Sequence, residues 1–232
     1  MEKLKKNNFD IIVTGGAGFI GEQITCHLIA NGMNVAVLDK KLGHHLDDEQ
    51  FVKSWFNENH APYLVNCFAL NDNIESNENR STFLNIELNM FSEYLRINVI
   101  SLFSVCREYI RNQQNGKIVN LSSIYSIVSP RNDIYGEAEK NIAYGVSKAA
   151  VNQLTRHLAV HSAPNFTSNS VVLGGVQNFQ PEEFISAYSK HVPLGRMAVP
   201  KDIFGIIDFL CSTESDYCTG AEFVIDGGWT SW

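Results

Sequence analysis

The sequence predicts an α/β fold, a doubly wound and mainly parallel sheet with helices on both faces. Three observations predict it. Short apolar runs of strand length alternate with longer runs at helical spacing. The first apolar run leads into a glycine-rich turn, Thr14-Gly15-Gly16-Ala17-Gly18-Phe19-Ile20-Gly21. The second ends on an acid, Asp39. Strand, glycine turn, helix, strand and acid, in that order, form the start of a dinucleotide-binding unit.

The elements follow in order. Residues 9–13 are short and apolar, as a buried strand is. Residues 19–31 read as a helix, with Ile20, Ile24, Leu28 and Ile29 near helical spacing and Gly32 as its C-terminal cap. Residues 34–38 are the second strand. Gly15 permits the tight turn between them. Gly18 lets the backbone approach a pyrophosphate at the helix N-terminus, and Gly21 lets the helix sit close to the strand. Asp39 is placed to accept bonds from an adenosine ribose. Its charge repels a 2′-phosphate, so NAD(H) is expected over NADP(H). Lys40 and Lys41 follow directly and leave NADP(H) open.

Residues 46–56 read as an amphipathic helix. Phe51, Val52, Trp55 and Phe56 share a face, and Asp47 with Gln50 has the pattern of a capping box. Residues 63–68 are the next strand. The interval from Asp39 to Asn66 is too short for a helix, a strand and another helix, which with their loops need roughly 35 residues. One edge strand and one helix of the usual set are therefore expected to be missing or shortened. That leaves an edge either exposed or covered by a partner. A degenerate edge strand at residues 41–45 is the alternative. His44 and His45 read as loop residues, not metal ligands.

Residues 71–85 are polar and Asn-rich, as a loop is. Residues 83–112 then read as one long helix carrying Ile86, Met90, Phe91, Leu95 and Val105. Asn98 interrupts its apolar pattern. Its side chain competes for backbone bonds, so a kink or a bound water is expected there. Residues 117–121 are a buried strand whose tip carries Ser122 and Ser123. Tyr144 and Lys148, four apart, open a helix of residues 144–161 and share one face of it. A phenol beside an ammonium group ionises more easily and can act as a general acid/base. Alone, that spacing also suits a packed tyrosine and a solvated lysine. Residues 169–172 are a strand ending in Gly174-Gly175-Val176. Residues 177–191 form a lid with a short helix opened by Pro181. Pro200 opens the last helix, and residues 221–225 the last strand. Trp229 and Trp232 are expected at the surface or on a neighbouring subunit.

Composition bounds the function. The 232 residues are at the upper end for one domain, and 44% apolar with 19% charged is ordinary for a soluble globular chain. One domain over residues 1–232 is expected. A net charge of −7 with no basic block argues against nucleic acid as a partner. The cluster Lys3–Lys6 reads as a solvated tail. Cys26, Cys67, Cys106, Cys211 and Cys218 are scattered, odd in number and free of C-x-x-C, which suggests reduced thiols in a cytosolic protein and no metal site. No apolar run is long enough to span a membrane and no signal-peptide pattern is present, so a cytoplasmic protein without a membrane partner is expected.

Taken together, these residues resemble the short-chain dehydrogenase/reductase family over nearly the whole chain. The carriers are the turn from Thr14 to Gly21, Asp39, Leu64-Val65-Asn66, Asn98, Asn120-Leu121-Ser122-Ser123, Tyr144 with Lys148, Gly174-Gly175-Val176, Pro193-Leu194-Gly195-Arg196-Met197 and Asp226-Gly227-Gly228-Trp229. The resemblance implies a Rossmann-type fold. It implies an oxidoreductase that transfers a hydride between NAD(H) and a secondary alcohol or ketone. It implies a catalytic set of Asn98, Ser123, Tyr144 and Lys148. Tyr144 exchanges a proton with the substrate oxygen, and Ser123 hydrogen-bonds that oxygen. Lys148 lowers the tyrosine pKa and holds the nicotinamide ribose, while Asn98 holds a water of a proton relay. It implies cofactor contacts at Thr14, Gly15, Gly18, Phe19, Ile20, Gly21, Asp39, Asn66, Tyr144, Lys148, Gly174 and Val176. A homodimer or homotetramer built on the helices around Asn98 and Tyr144 is also implied.

The chain departs from the family pattern in places. Its glycine spacing is that of the family's extended members, while the rest follows the shorter ones. Phe19 stands where those carry a small residue. The usual Asn-Asn-Ala-Gly is here Asn66-Cys67-Phe68-Ala69, and the usual Pro-Gly is Leu173-Gly174. With the shortened middle, these changes predict reduced cofactor affinity. The alternative expectation is a catalytically weak or inactive protein that keeps the fold for cofactor binding or interaction. The segment between Ser123 and Tyr144, with Pro130 and Tyr135, is longer than in most members. It resembles bacterial members of surface-carbohydrate biosynthesis and points to a sugar or nucleotide-sugar substrate.

Overall fold

A computed structural model describes residues 7–71, 82–135 and 139–232. The apolar runs become six strands: β1 Ile11–Thr14, β2 Val35–Leu38, β3 Tyr63–Asn66, β4 Gly116–Ser123, β5 Phe166–Leu173 and β6 Glu222–Ile225. They lie in the order β2-β1-β3-β4-β5-β6, every neighbouring pair parallel. Parallel neighbours need crossovers, and helices supply them. These are α1 Phe19–Ala30, α2 Glu49–Glu58, α3 Leu88–Leu95, α4 Leu102–Asn112, α5 Ile142–Ser162, α6 Glu182–Ser189 and α7 Lys201–Leu210. This is the expected doubly wound α/β fold.

Alternation along the strands sorts the core into two layers. Ile12, Leu64 and Ile118 pack with Val52, Phe56, Val105, Tyr109 and Val151 of α2, α4 and α5. Ile11, Val13, Val65, Val119 and Val171 pack with Ile24 and Leu28 of α1 and Ile203 and Ile207 of α7. Both sheet faces are covered, which is why the strands read as unbroken apolar runs. Each of these fully buried side chains contributes about 1.5–3 kcal/mol. A third cluster joins Ile134 and Val172 to Phe184 and Tyr188 of α6, with Met197 and Trp229.

The short interval after β2 has the expected effect. Among the described residues no strand lies outside β2, which is the sheet edge. Residues 41–45 do not form a degenerate strand. Asp39 accepts the Lys41 N–H at 2.8 Å and so caps a single 3₁₀ turn, Lys40–Leu42, which Gly43 ends at φ 81°. A two-residue parallel pairing of Asn7–Asn8 with Asn59–His60 precedes β1 and β3.

Three local expectations are corrected. The cap of α2 is Asp48, whose Oδ1 accepts the N–H of Gln50 at 2.9 Å and of Phe51 at 3.3 Å. Asp47 instead pairs with Arg96 at 2.9 Å, a bond that holds its carboxyl below the ordinary range. The long helix begins at Leu88, not at residue 83, and changes pitch midway: Arg96–Ser101 form a widened π-helical turn between α3 and α4. Trp229 is buried, stacked on Tyr188 with ring centres 4.2 Å apart, whereas Trp232 is exposed. Residues 72–81 of the Asn-rich segment and the Lys3–Lys6 tail lie outside the described residues. No described helix is long and apolar enough to cross a membrane.

Candidate active site

The glycine turn is set by contact distances. Gly15 has φ 70°, and a Cβ there would lie 2.4 Å from the Phe68 amide nitrogen. A Cβ at Gly21 would lie 2.1 Å from the Gly15 carbonyl oxygen. Neither position admits a side chain without moving backbone. Gly18 is different, because its added Cβ would meet only Gly15 O, at 3.2 Å. Gly18 is the N-cap of α1 and no side chain caps that helix. The first amides of α1 therefore keep their donors for a ligand, and the dipole there favours an anion. The donor set fits a pyrophosphate. Asp39 braces the turn, since its Oδ2 accepts the Ala17 N–H at 3.1 Å.

The other half of the site stands on β4 and α5. Asn141 caps α5 by accepting the Ala143 N–H at 2.9 Å, which places Tyr144 in the first turn. Lys148, one turn on, is buried and donates from Nζ to Leu121 O at 2.9 Å. Burial pushes this lysine down to about 8. Ser123 ends β4, and its Oγ accepts the Tyr125 N–H at 3.2 Å, so its own hydrogen is left to donate. A cleft of about 690 Å³ takes in Gly15, Gly18, Asp39, Ser123, Tyr144 and Lys148. Phe19, Ile20, Gly21, Gly174 and Val176 line it as well.

Thr14, Asn66 and Asn98 do not line the cleft. Thr14 Oγ1 donates to Asn66 Oδ1 at 2.7 Å, Asn66 Nδ2 to Asn120 Oδ1 at 2.8 Å, and Asn120 Nδ2 to Thr155 Oγ1 at 2.9 Å. This buried chain crosses β1, β3 and β4 to α5 and fixes the strand tips that form the cleft floor. Asn98, inside the π turn, donates from Nδ2 to Leu70 O at 3.0 Å and to Ser147 Oγ at 2.9 Å, and its Oδ1 accepts the Leu70 N–H at 2.6 Å. The expected interruption at Asn98 is thus a clamp on Leu70, which does line the cleft.

Tyr125, Tyr188 and Lys140, which the sequence did not single out, line the cleft beside Tyr135 and Cys67. Tyr125 and Tyr135 share a 2.6 Å hydroxyl bond. Burial pushes the Tyr125 phenol far above its ordinary range. Tyr188 accepts the Gly175 N–H at 2.6 Å. Burial pushes the thiol of Cys67, on the cleft floor, up to about 12, so it stays protonated. Lys140 stands over the Tyr144 ring, 4.5 Å from its centre. The one sequence signal for it was a lysine four residues before Tyr144, matching the one four residues after.

Residues 47–230 match the family model described as enoyl-(acyl carrier protein) reductase. The chain is 31% identical to the cyclopentanol dehydrogenase of Comamonas sp. (strain NCIMB 9872), over 97% of this chain and 98% of that protein. Two other dehydrogenase-named relatives are matched over 66% and 43% of their own length. In fold, the chain is similar to a short chain dehydrogenase from Leptospira borgpetersenii with bound NAD+, with a TM-score of 0.85, 24% identity and coverage of 99% and 94%. It is also similar to a gluconate 5-dehydrogenase from Burkholderia cenocepacia in complex with NADP and tartrate, with a TM-score of 0.80, 18% identity and coverage of 99% and 97%.

Proposed function

The chain belongs to the short-chain dehydrogenase/reductase family, oxidoreductases that use nicotinamide cofactors on small molecules, and from that premise we propose that it interconverts a secondary alcohol and a ketone with Tyr144 as general acid/base. One observation carries the reading: Ser123, Tyr144 and Lys148 share a cleft with the glycine turn and Asp39.

A bound nicotinamide would supply or accept the hydride; the chain's own residues bind, orient and move the proton. The α1 amides at Phe19–Gly21 would hold the pyrophosphate and Asp39 the adenosine ribose. Tyr144 would give its phenol proton to the substrate oxygen in reduction and take it back in oxidation. Ser123 would donate to that oxygen. Lys148 keeps two ammonium hydrogens beyond the one given to Leu121, enough for the nicotinamide ribose. Asn98 would act through Leu70 and Ser147, fixing the wall beside Tyr144. Asp39 supports NAD(H) over NADP(H). Lys40 lines the same cleft and offers a counter-charge for a 2′-phosphate, so titration with both reduced cofactors decides the preference.

For the substrate we favour a sugar or nucleotide sugar. The longer segment after Ser123 brings Tyr125 and Tyr135 into the cleft, and aromatic faces with hydroxyl edges suit a polyhydroxy ring. Exposed apolar residues Met90, Ile100, Phe103 and Val146 on neighbouring helices support a homodimer or homotetramer. A sheet that unites β1 with β6 supports one domain over residues 1–232, and five free thiols support a cytoplasmic location.

The test follows NADH absorbance against a panel of ketones, for the native protein and for Tyr144→Phe. Turnover by the native protein and its loss in Tyr144→Phe are expected. Equal traces would leave the inactive, cofactor-binding alternative.

A further inference from the structure

Two lysines flank Tyr144, each four residues away. Lys148 is accounted for above and Lys140 is not. The Lys140 Nζ stands 4.5 Å from the centre of the Tyr144 ring, closer than Lys148 Nζ at 5.8 Å. Its position is set by a path of bonds. Lys140 Nζ donates to Asn71 Oδ1. Asn71 follows Leu70, whose N–H and C=O both bond to Asn98. Asn98 in turn donates to Ser147, next to Lys148 on α5. The path leaves the helix of Tyr144, passes through the π turn and returns over the tyrosine ring.

A cation over an aromatic face is attracted by the ring quadrupole. Ionising the phenol adds a full negative charge, so the attraction is greater for the phenolate. The N-terminus of α5 acts in the same direction. Lys148 on α5, Tyr125 after β4 with its partner Tyr135, Cys67 after β3 and Glu93 on α3 are among the titratable groups lining the same cleft, and Glu139, next to Lys140, accepts the Phe83 N–H. Burial keeps Tyr125 and Cys67 protonated. Burial also thins the charge of Lys148 from about pH 8 upward.

We propose that Lys140 is a positioning residue for the reaction: its ammonium, held over the ring by Asn71, favours the ionised form of Tyr144 and readies it to take a proton from an alcohol. The proposal rests on Tyr144 as the acid/base group. It assigns to Lys140 an action through that tyrosine, without contact to substrate.

The experiment is an ultraviolet difference titration of the phenolate in the full chain. The native protein, Lys140→Met and Lys140→Arg are each read against the same protein carrying Tyr144→Phe. Removing one nearby charge is expected to raise the Tyr144 midpoint by about one unit, a roughly tenfold smaller ionised fraction below it. Lys140→Arg is expected to restore the midpoint. The pH profile of kcat/KM for oxidation should move the same way, with KM unchanged on the plateau. An unmoved midpoint in Lys140→Met overturns the proposal. So does a raised KM with an unmoved midpoint, which would make Lys140 an anchor for an anionic substrate. A shift that arginine fails to restore also overturns it. Because the titration needs no turnover, it is independent of whether Tyr144→Phe abolishes activity.

Discussion

Asn98 and Leu70 exchange two hydrogen bonds, one from the Leu70 N–H to Asn98 Oδ1 and one from Asn98 Nδ2 to the Leu70 carbonyl. A side chain thus replaces a strand partner for a cleft-wall residue. Asn98→Ala removes both bonds and the one to Ser147. Leu70 is half-buried, so water offsets part of the cost of about 1–3 kcal/mol for each unpaired group, and a loss of about 1–3 kcal/mol in urea unfolding is expected. Turnover should fall more than tenfold, since Leu70 and Asn71 shape the wall beside Tyr144.

The glycines separate structure from ligand contact. Gly21→Ala puts a methyl against the Gly15 carbonyl and should lower the thermal midpoint clearly. Gly18→Ala meets one atom, the Gly15 carbonyl oxygen at 3.2 Å, which has to give by only a few tenths of an ångström, so it should destabilise far less than Gly21→Ala. Its NADH affinity, measured by fluorescence titration, should nonetheless fall at least tenfold, because the methyl enters the anion cradle. Native affinity in Gly18→Ala would refute that placement.

Lys148 makes stability depend on pH. Its folded value, about 8, lies below its ordinary 10.5, because burial disfavours the charged form. Between those values the unfolded chain binds more protons than the folded one, so this group's contribution rises with pH from about 8 to 10.5. Below 8 the folded state carries the full cost of burying the charge, about 3 kcal/mol. Lys148→Met should be more stable than the native chain at pH 7 by part of that amount. Denaturant melts at pH 7, 8 and 9 should show the advantage shrinking.

Thiol reactivity should follow burial. Burial pushes the thiols of Cys67, Cys106 and Cys211 up to about 12, and Cys26 is exposed. Iodoacetamide at pH 8, followed by peptide mass spectrometry, should label Cys26 well before those three. Early labelling of Cys67, which lines the cleft, would show that its thiol is not held protonated there.

Much of the fold was legible because buried parallel strands are short apolar runs bounded by glycine or by helical spacing. Residues 11–14, 35–38 and 63–66 follow that rule. The dropped strand was legible from chain length alone between Asp39 and Asn66. The helix start at Leu88 was not, because Phe83 and Ile86 continue an apolar pattern that the backbone does not follow. Asp48 over Asp47 as a cap depended on Arg96, remote in sequence, drawing Asp47 away. In the site, residues carrying motifs could be named, but which of them reach the cleft could not. Thr14, Asn66 and Asn98 look like ligand residues in sequence, yet their side chains satisfy one another, Asn120 and a backbone segment. Lys140 carried only a spacing, and the fold supplied its meaning.

The edge at β2 limits how the molecule meets other chains. Asn34 and Leu38 turn their carbonyls toward β1, accepting from Asp10 and Gly15, so by alternation Val35 and Val37 turn their backbone groups outward. The next outward amide, that of Asp39, already donates to His44 Nδ1 at 3.3 Å. A foreign strand would find two residues to pair with before the 3₁₀ turn carries the chain out of plane. Losing a strand here leaves an edge too short to seed growth of a sheet, so the chain is trimmed without gaining a template for aggregation.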